Sequence, residues 1–67
     1  MKEVREKIMP LADLLEYQIR VGKISYAGGD KIWRTVLKNP DLVNAVLRIL
    51  EDELPEDEVM AKFERLL

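Results

Sequence analysis

Apolar side chains recur every three or four positions along most of this chain, the spacing that lines one face of an α-helix. Val4, Ile8, Leu11, Leu15 and Ile19 fall within an arc of about 80° at 100° per residue, and Leu14 and Val21 flank it. Glu3, Arg5, Glu6, Asp13, Glu16 and Arg20 fill the rest of the circle. The pattern predicts a first helix from about Lys2 to Val21. Pro10 lies inside it, where the missing N–H and the ring clash cost roughly 3 kcal/mol. The apolar stripe keeps its phase on both sides of Pro10, so one kinked helix is expected and not two separate ones. Gly22 supplies the left-handed residue that ends it.

The stretch Lys23 to Gly29 has no helical period. Gly28 and Gly29 next to Asp30 spell a turn followed by an N-cap, so a loop is expected there. A short second helix follows over about Lys31 to Lys38, carrying Ile32, Trp33, Val36 and Leu37. Asn39-Pro40 marks a boundary, with Asn39 as cap and Pro40 at the first helical position, where its missing donor is harmless. The third helix is expected from Pro40 to about Leu54. Its apolar residues Leu42, Val43, Ala45, Val46, Leu47, Ile49, Leu50 and Leu54 span an arc near 200°, which calls for neighbours on more than one side. Pro55 opens the fourth helix, with Glu56, Asp57 and Glu58 in the first turn, where the helix dipole favours carboxylates. Val59, Met60, Phe63, Leu66 and Leu67 carry its stripe to the last residue, which implies a docked end. The expected fold is all-α, a single helical domain over residues 1–67. It is a small bundle of about four helices: a long kinked first helix, a short second one, and an antiparallel third and fourth packed around the third.

Composition narrows the chemistry. The 67 residues include no His and no Cys, so disulfides and ordinary zinc sites are excluded. The single serine, Ser25, reads as a turn hydroxyl bonded to nearby backbone, because a nucleophile-plus-base pair cannot be assembled around it in the common ways. An enzyme is not expected, nor a cofactor, a metal or a small-molecule substrate. No apolar run is long enough to span a bilayer, the first residues do not read as a signal peptide, and a cytoplasmic home is expected. Scarce Asn, Gln, Ser and Thr beside plentiful Glu, Lys and Arg is a bias found in heat-adapted proteins.

Charge is uneven. Residues 1–40 hold eight basic and five acidic groups, a net of +3, and residues 41–67 hold three and eight, a net of −5. The run from Glu51 to Glu58 places six carboxylates in eight positions. It lacks the ligand spacing of a calcium loop and reads as solvated charge with dipole complementation. An alternative function follows from the basic half: a nucleic-acid-binding, helix-turn-helix-like module using Arg20, Lys23, Lys31, Arg34 and Lys38. The acidic overall balance and the apolar third helix oppose it.

The aromatics point elsewhere. Phe63 lies on a buried stripe, and Trp33 is expected in the core. Tyr26 in its glycine-rich loop and Tyr17 off the main stripe of the first helix are candidates for exposure, and Tyr is enriched at binding hot spots. Tyr17, Arg20, Ile24 and Tyr26 are therefore the expected partner-binding residues. Together with surplus apolar surface on the third helix, they suggest a small interaction protein, a regulator or inhibitor that binds a larger protein or forms a homodimer.

Overall fold

The computed structural model describes the backbone of residues 2–67 and the side chains of residues 8–67. The described residues form α1 (Lys2–Arg20), α2 (Tyr26–Lys38), a 3-10 turn (Pro40–Leu42), α3 (Val43–Glu51) and α4 (Glu56–Arg65), with no strand among them. This is the expected all-α class.

The first helix runs unbroken through Pro10. Val4, expected on its stripe, lies outside the described side chains, whereas Leu11 and Leu15 are buried as the phase requires. Gly22 takes a φ of +81° and closes the helix, as its lack of a Cβ allows. The next turn is tight: the backbone N–H groups of Lys23 and Ile24 both donate to the Gln18 carbonyl, at 2.9 and 3.3 Å.

The second helix starts five residues earlier than its periodicity suggests. Ser25 is the N-cap, in extended backbone, and its hydroxyl accepts from the Gly28 N–H at 3.1 Å. Gly28 and Gly29 are helical and buried, and Asp30 is not a cap. The glycines answer to packing and not to a turn. A Cβ on Gly29 would stand 2.5 Å from Ile19 Cδ1, and one on Gly28 would stand 2.7 Å from Glu56 Oε2. Neighbouring helices occupy the space that side chains would need.

Asn39 closes α2 through its backbone N–H, which donates to the Thr35 carbonyl, and its side chain makes no cap bond. The segment expected as one third helix divides into the 3-10 turn and α3, which ends at Glu51. Glu53 follows with a φ of +53°, in the left-handed region. Pro55 precedes α4, its carbonyl accepting from Glu58 and Val59 at 3.0 Å each.

One core joins every element: Leu11 and Leu15 of α1, Ile24 of the connection, Ile32 and Val36 of α2, Val43, Val46 and Leu50 of α3, and Val59 and Phe63 of α4. The third helix is not the sole hub. The first packs on both α2 and α3, while α4 contacts both α3 and α2, so burial is shared around a ring. At the chain end Leu66 packs against the core, but Leu67 is 67% exposed, so the expected docking stops one residue short. No helix among the described residues is long and apolar enough to cross a membrane.

Candidate interaction groove

Two helical stripes with the same spacing face each other across the α1–α2 seam. From α1 come Ala12, Leu15, Glu16 and Ile19; from α2 come Tyr26, Gly29, Asp30 and Trp33. Each set runs i, i+3, i+4, i+7, so each lies along one side of its helix. They bound an open, predominantly apolar groove of about 320 Å³.

Local chemistry explains why the groove exists. The Ser25 cap starts α2 early enough to make Tyr26 helical and to bring it into register with Trp33 two turns on. Gly29 lets the helix backbone approach Ile19 closely, so the floor is small-residue backbone and aliphatic side chain. The Ser25 hydroxyl also donates to Glu56 Oε2 at 2.5 Å, tying the start of α2 to the first turn of α4. Ile24, only 2% exposed, pins the connection from inside.

The rim is polar and ion-paired. Arg20 Nη2 meets Glu16 Oε1 at 2.7 Å, and Arg34 Nε meets Asp30 Oδ2 at 3.0 Å, both one helical turn apart. Such exposed pairs contribute well under about 1 kcal/mol each to stability. Their effect here is to pair each carboxylate that lines the groove with a neighbouring cation.

The four residues expected to bind a partner separate in space. Tyr26, 74% exposed, stands on the groove, and Arg20 reaches it through Glu16. Tyr17 is 55% exposed but lies roughly 150° around α1 from the groove stripe, at 100° per residue. Ile24 belongs to the core and offers no binding surface; an apolar residue after a tight turn is drawn inward when the following helix packs across the preceding one. Trp33, expected in the core, is half-buried: it packs on the core cluster and lines the groove as well. Tyr26 does not lie in a loop.

The basic residues of the nucleic-acid alternative are dispersed. Arg20 and Arg34 hold the rim carboxylates, Lys23 Nζ pairs with Glu53 Oε1 at 3.0 Å, and Lys31 Nζ pairs with Glu64 Oε1 at 3.2 Å. Of the five, Lys38 alone has no ion pair among the described residues. Cations turned toward carboxylates on different elements make a poor phosphate-binding stripe.

Gln18 escaped the sequence reading. It is 5% exposed and donates from Nε2 to the Leu50 carbonyl at 3.1 Å. Its phase was a usable signal, because position 18 falls seven residues after Leu11 and three after Leu15, on the buried side of α1.

No protein-family model matches the chain, and no curated protein or solved structure is significantly similar to it.

Proposed function

We propose that this chain is a non-catalytic interaction protein that acts in the cytoplasm by docking an apolar surface into or over the α1–α2 groove. It serves as a small regulator or inhibitor through a protein partner or through self-association. The observation that carries this reading is Tyr26: a large aromatic side chain, 74% exposed, on the first turn of a capped helix beside an apolar groove. Rigid aromatic anchors contribute contact area at low entropic cost, which is why they dominate binding hot spots.

A photo-crosslinking amino acid placed at position 26, with position 38 as control, tests the site in cells producing the protein. A discrete adduct from position 26, to another protein or to a second copy, and none from position 38, is the expected result. Equal or absent adducts at the two positions overturn the reading.

A further inference from the structure

We draw no further inference here: the strongest candidate, the open apolar groove between α1 and α2 with Tyr26 and Trp33 along its α2 side, belongs to the site already described, and nothing in the structure shows what covers it.

Discussion

The side-chain amide of Gln18 donates to the main-chain carbonyl of Leu50 across the α1–α3 contact, 3.1 Å away and 32 residues distant in sequence. The bond satisfies a buried polar group and ties the end of α1 to the end of α3, where helical carbonyls lack intrahelical partners. The Glu53 N–H also reaches this carbonyl, at 3.3 Å, so it is not orphaned when the amide is lost. Gln18→Leu is therefore expected to change stability by no more than about 1 kcal/mol. Gln18→Glu is different, because it places a buried carboxylate against a carbonyl oxygen and costs about 2–3 kcal/mol at neutral pH. The introduced carboxyl has a folded-state pKa raised above its unfolded value, so the penalty holds above the folded pKa. It is relieved as pH falls, since the protonated acid donates as the amide did. Urea unfolding of the two variants between pH 4 and pH 7 (roughly the carboxyl range) measures both effects.

Gly29 and Ile19 form a coupled pair. Gly29→Ala gains about 1 kcal/mol of helix propensity but drives its methyl into Ile19 Cδ1, and overpacking costs about 1–3 kcal/mol. The single variant is expected to be destabilised. Adding Ile19→Val removes Cδ1, so the double variant is expected to exceed the sum of the singles by about 1 kcal/mol or more. A double-mutant cycle on thermal or urea unfolding tests this, and additivity would mean that α2 has shifted away from α1.

Glu53 occupies a left-handed backbone position with a φ of +53°, which a Cβ disfavours by about 1–2 kcal/mol. Glu53→Gly is expected to raise stability by about 0.5–1 kcal/mol, despite losing the exposed contact to Lys23, which contributes little. For a chain this size that is an increase in Tm of about 2–8 °C. Lys23→Ala alone, by the same argument, moves Tm by less than about 3 °C.

Ser25 joins two elements with one hydroxyl, accepting from Gly28 and donating to Glu56. Ser25→Ala is expected to cost about 1–2 kcal/mol through the lost cap. Ser25→Asp restores a cap acceptor but sets a second carboxylate against Glu56. Its stability is expected to recover in a Glu56→Gln background, read by urea unfolding.

Tyr26→Ala removes an exposed ring and leaves its helix capped. Its melting temperature is expected to stay within about 3 °C of the parent. Association through the groove weakens at least tenfold by sedimentation or titration. Unchanged association would take Tyr26 out of the interface.

Local physics was enough to reveal much of this protein from its sequence. Helical spacing placed Leu11, Leu15, Val46, Leu50, Val59 and Phe63 inside. Gly22 and Pro55 marked ends because they act on the backbone where they stand. Pro10 sat inside a stripe that kept its phase, and the helix does run through it. The burial of Ile24 and the half-exposed setting of Trp33 were decided only by tertiary packing, whereas the early start of α2 combines a local cap at Ser25 with close helix packing at Gly28 and Gly29. Glycine reads as a turn when its flexibility is considered alone. At 28 and 29 what counts is the absence of a Cβ, and Ile19 and Glu56 make that absence necessary from distant parts of the chain. The same holds for the groove: periodicity shows which residues share one side of a helix, but which two sides meet is settled by what each helix packs against.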